Sequence, residues 1–134
     1  MPPSPKQVLK QIIGIENRIV VVREYARLWQ QFGGFFIDGF PPERVISPEE
    51  EQGFFQLLNI IAINHYRFTE LASPHFKEGD DILAVLASAV SLDTMRNMSE
   101  AQFGQLCTDW HRILIMMNKT IGKLLPLLPV QKAK

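Results

Sequence analysis

Residues 4–34, SPKQVLKQIIGIENRIVVVREYARLWQQFGG, decide the fold class. Ser4 followed by Gln7 is a capping box: the serine oxygen accepts the N3 backbone N–H and the N3 side chain reaches back to the N-cap. Pro5 supports the same start, because proline at the first helical position leaves no N–H unpaired and already has a helical φ. Val8, Ile12, Ile15, Ile19, Val22, Ala26 and Trp29 then recur at alternating steps of four and three, which is a heptad seam. Leu9, Ile13, Val20, Val21, Leu28 and Phe32 widen the apolar face beyond what one neighbouring helix covers. Such a helix has to be buried on two sides, within a bundle or by another subunit. Gly33-Gly34 reads as a left-handed stop, which gives a first helix over about residues 5–32.

The same start signal occurs twice more, at Ser47 with Glu50 and at Ser99 with Gln102, and Pro48 repeats the proline at the first position. A second helix is expected over about residues 48–73, with Phe54, Leu58, Ile61, His65, Phe68 and Ala72 on its seam and Ser73-Pro74 as its stop. The last long helix covers about residues 100–125, with Met98 and Phe103 placed as a hydrophobic staple, and leads into a polar tail from Pro129 to Lys134. Between them a shorter helix is expected over residues 81–94, capped by Asp80 or Asp81. It is apolar nearly all round and carries Ala84, Ala87 and Ala89, so it is expected in the middle of the fold, where small residues let neighbours approach. The reading is all-α: an antiparallel helical bundle of three long helices plus a shorter, apolar helix 3, with residues 1–134 forming a single domain.

Composition narrows the function classes. The formal charge is zero and the pI is near 6.8, so overall electrostatics draw in neither nucleic acid nor anionic lipid. Met1 to Lys6 lacks the apolar region of a signal peptide, and the run Ile82 to Leu92 falls far short of the roughly 20 residues of a bilayer span. A soluble, cytoplasmic protein is therefore expected. Cys107 is the single cysteine, which excludes an internal disulfide and a cysteine zinc knuckle.

Charge is uneven along the chain. Lys6, Lys10, Arg18, Arg23 and Arg27 oppose only Glu16 and Glu24 in the first helix, while Asp38, Glu43 and Glu49 to Glu51 cluster around Arg44. The basic side of helix 1, at Arg18, Arg23 and Arg27, could receive an acidic partner. The acidic run also fits a helix N-terminus, which favours anions.

The connection 33–47 is long and apolar for a bundle, where such links are mostly about two to eight residues. Phe35, Phe36, Ile37 and Phe40 flank Asp38-Gly39 and precede Pro41-Pro42. These rings either plug the end of the bundle or form an interface with a partner or a second copy.

Motifs for chemistry are sparse. Cys107 and His111 share a helix face at i, i+4, but a thiolate–imidazole enzyme also needs an orienting group and an oxyanion site that no motif supplies. His65 lies on an apolar seam, where a histidine bonded to a carbonyl is as natural as a ligand. Glu-x-x-His pairs, Cys-x-x-Cys-His, His-Glu-x-x-His and glycine-rich phosphate loops are all absent, so no metal or cofactor is expected unless His65, His75 and His111 converge in the fold. The leading expectation is a non-enzymatic protein acting by association, as a homo-oligomer, an adaptor or a small subunit of an assembly. Second stands a ligand-binding bundle with a pocket among His65, Tyr66, Cys107, Trp110 and His111. An enzyme built on Cys107 and His111 is third.

Overall fold

The computed structural model describes residues 4–128; within the first helix the side chains of residues 8–13 fall outside that description, as do those of 1–3 and 129–134. The expectations for Val8, Leu9, Ile12 and Ile13 and for the polar tail therefore lie outside the described residues. Among the described residues the regular structure is all helical: α1 over Pro5–Gly34, α2 over Pro48–Ala72, α3 over Gly79–Ser88, α4 over Leu92–Arg96 and α5 over Glu100–Leu124, followed by a 3-10 turn at Leu125–Leu127.

The capping boxes at Ser4 and Ser99 form in full: each serine oxygen accepts the N3 backbone N–H and each glutamine side chain returns to the cap. At Ser47 only half of the box forms. The serine accepts from the Glu50 N–H, but the Glu50 carboxylate turns away to the Arg44 guanidinium at 2.7 Å. A charged partner outcompetes the neutral backbone N–H of the cap.

The first helix does not stop at a left-handed glycine. It continues through Gly33 and Gly34 to Phe35, whose φ of −70° and ψ of −27° are still helical, and among the described residues positive φ is reserved for Gly39 at 83° in the turn beyond. Gly33 serves a different purpose: a Cβ there would overlap the Trp110 indole, so the missing side chain lets α5 seat its tryptophan against α1.

Helix 3 departs most from expectation. Instead of one helix over 81–94 there are two, α3 and α4, separated by a bend in which Ala89 has φ −101° and ψ 56° and Ser91 is extended. Ser91 caps α4 through the Thr94 N–H, and the Glu51 carboxylate reaches across from α2 to accept from the N–H groups of Leu92 and Asp93 at 2.9 and 3.0 Å. These acceptors satisfy donors that a continuous helix would have paired within itself, so the break is stable. Neither aspartate caps α3; Asp80 and Asp81 sit within its first turn. Nor is α3 central. It packs on α5 and α2 through Ile82, Val85 and Leu86, and leaves Leu83 and Ala84 exposed.

The core is aromatic and draws on every long helix. Tyr25 of α1 stacks on Phe68 of α2 at 4.1 Å, Phe32 stacks on Phe54 at 5.4 Å, and Phe68 meets Phe76 edge-on at 5.0 Å. On the other side of α1, Trp29 and Trp110 are buried against one another's helices, and Phe36 packs edge-on to Phe103 at 6.4 Å. Among the described residues the seam of α1 is met by α2 and α5 within one chain, with Ile19, Val22, Ala26 and Trp29 all buried, while Val20 on the wider face stays half-exposed.

Candidate functional site

The 35–47 segment folds back on the end of the helices. Phe36 is wholly buried against Phe32, Phe103 and Trp110; Phe35 packs edge-on to Phe54; Phe40 packs on Phe103 beneath the Arg44 guanidinium, 4.6 Å from its ring centroid. Arg44 also donates to the carbonyls of Gly39 and Phe35, and Arg96 of α4 donates to the Arg44 carbonyl. Of the two expectations for the loop, the interface is corrected for Phe36, which plugs the bundle end as a core side chain, with Phe35 and Phe40 half-buried beside it; only Ile37 of the four is exposed.

The three arginines separate. Arg18 donates to the carbonyls of Leu71 and Ser73 at 2.7 and 2.6 Å, so its charge completes the C-terminus of α2, where a cation is favoured. It is committed inside the chain. Arg23 and Arg27 remain exposed, beside Asn118 and Ile121 of α5.

The five residues considered for a pocket face different surroundings. The His65 Nε2 lies 2.8 Å from the Gly79 carbonyl and ties α2 to the start of α3, the satisfied histidine that its seam position suggested. Tyr66 is exposed on the outside of α2, and its hydroxyl donates to Glu70; that hydrogen bond raises the phenol above its usual pKa. The Trp110 indole is spent on the Trp29 carbonyl. Cys107 and His111 do stand together, along a shallow concavity on α5 that also includes Ile115 and Lys119. Burial pushes the Cys107 thiol up, which favours the protonated form and works against a nucleophile. Among the described residues, no three His, Cys, Asp or Glu side chains come together to hold a metal ion.

Two features stand out that the sequence reading missed. The first is the outer face of α2. From Gln52 to Tyr66 this helix carries no Asp, Glu, Lys or Arg, and its solvent side presents Phe55, Ile60, Ile63 and Tyr66, with Ile63 78% and Tyr66 71% exposed. Phe55, Asn59, Ala62, Ile63 and Tyr66 follow at helical spacing, so they form one stripe rather than scattered exposures. The signal was legible as apolar residues left over beside the Phe54, Leu58 and Ile61 seam. The second is a cleft of about 550 Å³ between α3 and α5, closed at one end by α4. It exists because the α3 residues facing it, Ala84 and Ser88, are too short to reach α5.

Among known protein families, curated proteins and solved structures, the chain has no match. No helix among the described residues is long and apolar enough to cross a membrane.

Proposed function

We propose that this chain is a non-enzymatic protein that acts by association, and that the outer face of α2 meets the same face of a second copy. The exposed Ile63 and Tyr66 on an uncharged stretch of helix carry the reading, because apolar stripes of this kind mark interaction surfaces. The choice of a second copy rests on charge. Glu49 and Arg67 are exposed at the two ends of that face, about 27 Å apart along the helix at 1.5 Å per residue. Two such helices crossing head to tail about a two-fold axis would set Glu49 against the partner's Arg67, twice, with the apolar side chains between them.

The scaffold behind that face is, on this reading, an antiparallel bundle of α1, α2 and α5. The facing pairs Arg18 with Leu71, Tyr25 with Ile61 and Phe32 with Phe54 support this for α1 and α2, and Trp29 with Trp110 and Phe36 with Phe103 support it for α1 and α5. A single cysteine that no disulfide engages fits a reducing compartment, so we place this association in the cytoplasm.

Sedimentation velocity tests the proposal. Wild-type protein sediments as a dimer at micromolar concentration, and Ile63→Arg sediments as a monomer with unchanged helical dichroism. Glu49→Arg weakens the dimer, and adding Arg67→Glu restores it. A wild-type monomer at all concentrations, or an Ile63→Arg dimer as stable as wild type, overturns the reading.

A further inference from the structure

We infer that the cleft between α3 and α5 is a binding site for a small organic cation, an amine or guanidine with a short apolar body. The site is independent of the α2 face and goes beyond the association proposed for it. Its floor is formed by Val85 and Leu106, both buried, so a ligand lying there removes apolar surface from water. Its volume of about 550 Å³ falls within the range of small-molecule sites, roughly 300–1,000 Å³. At one end stand Asp81 of α3 and Asp109 of α5, with the Arg112 guanidinium between them at 3.4 and 3.8 Å. Those are loose contacts between side chains 34–50% exposed, so the guanidinium is not locked in place and can yield to another cation.

The sign of the ligand follows from the count of charges. Two carboxylates and one guanidinium leave the charged end with an excess of one negative charge, which favours a cation over an anion. The rest of the wall is neutral: Ser88, Thr94 and Asn97 present hydroxyls and a carboxamide at the far end, while the Gln102 carboxamide serves the Ser99 cap and that of Gln105 donates to Asp109 at 2.9 Å. Length follows from the helix: Asp81 and Ser88 are two turns apart, about 10 Å, which suits an ammonium on a chain of about six carbons.

Hexylammonium, hexanol and hexanoate are matched probes. Titrated into the isotopically labelled protein, hexylammonium shifts amide resonances of residues 81–88 and 102–112 saturably, hexanol does so more weakly, and hexanoate does not. Asp81→Asn and Asp109→Asn each weaken hexylammonium binding by roughly threefold to tenfold, and Arg112→Gln, which removes the competing cation, tightens it by a similar factor. Ser88→Leu fills the cleft from an exposed position and abolishes binding, with circular dichroism confirming the fold. Hexanoate binding as well as hexylammonium, weaker binding in Arg112→Gln, unchanged binding in Ser88→Leu, or no saturable shift with any probe overturns the inference.

Discussion

Trp29 and Trp110 exchange hydrogen bonds: each indole N–H donates to the backbone carbonyl of the other residue, both at 2.9 Å, across the buried contact between α1 and α5. The arrangement fixes the two helices in rotation and in axial register, because a slide of either one breaks both bonds. Both indole donors are thereby satisfied away from water, where an unpaired one would be costly. Removing one ring therefore weakens the contact that the other ring depends on.

That reciprocity gives a measurable coupling. Trp29→Phe and Trp110→Phe each lower unfolding free energy by about 2 kcal/mol, combining a lost hydrogen bond with lost ring volume. The double variant costs less than the sum, by about 1 kcal/mol, because the second substitution acts on a contact already loosened. Urea denaturation of the four proteins measures the cycle; strict additivity would show that the two bonds are independent.

Gly33 and Gly34 are neighbours in the same helical turn with opposite expectations. At Gly34 a Cβ would meet nothing within 4 Å, so Gly34→Ala stabilises by about 0.5–1 kcal/mol through helix propensity alone. At Gly33 the Cβ would overlap the Trp110 indole, which is held by its own hydrogen bond and cannot swing aside. Gly33→Ala destabilises by about 1–3 kcal/mol. Thermal melts of the two variants should move in opposite directions.

Glu51 holds α4 from a distance. Its carboxylate accepts the Leu92 and Asp93 N–H groups at the start of a helix only five residues long, which cannot persist unaided. Glu51→Ala costs about 1–2 kcal/mol and speeds hydrogen exchange at Leu92 and Asp93 well before it affects α1 or α5. Uniform acceleration across the chain would assign Glu51 a global role instead.

What the sequence disclosed follows the range of the interaction. The serine caps and the Ile19, Val22, Ala26 and Trp29 seam depend on residues three or four apart, and the structure reproduces them. The break between α3 and α4 rests on the Ser91 cap, a local signal hidden in an apolar run, and on Glu51, whose partners lie 41 and 42 residues away and leave no trace in local propensity. The glycine pair carried the local signature of a stop, and only the tertiary approach of Trp110 turned Gly33 into a packing residue. For the site, the rings of the loop left a plug and an interface both open. Phe35, Phe36 and Phe40 looked excessive there because the depth of the space they fill is a property of three converging helices. The exposed Ile63 was passed over because helix 2 already had a complete seam.

Tyr25 makes stability fall in alkali. Its hydroxyl is buried and donates to the Ile61 carbonyl, and burial pushes the phenol far above its ordinary value of 10.0. In the unfolded chain the same group ionises near 10, so above that pH the unfolded state has lost a proton that the folded state keeps. The stability from Tyr25 is therefore fully present below pH 10 and declines as pH rises beyond it. Tyr25→Phe loses about 1 kcal/mol at pH 7 and shows a shallower decline between pH 10 and 11.5. Parallel declines in the two proteins would assign the alkaline loss to other groups.

Phe36 and Ile63 separate the two roles that apolar side chains play in this chain. Phe36 has no exposed surface and touches Phe32, Phe103 and Trp110, so Phe36→Ser leaves a cavity and sets a hydroxyl among aromatic rings. The expected loss is about 3–5 kcal/mol, read in urea denaturation, with no change in the association of the protein that remains folded. Ile63 is largely exposed and its removal leaves the core intact. Ile63→Ser changes unfolding free energy, extrapolated for the monomer, by no more than about 0.5 kcal/mol, while it raises the dimer dissociation constant about tenfold or more. Denaturation and sedimentation on both variants form a crossed test, since each substitution moves one measurement and spares the other. If Phe36→Ser dissociates a stable dimer while Ile63→Ser does nothing, the loop is the interface after all and the face of α2 is bare surface.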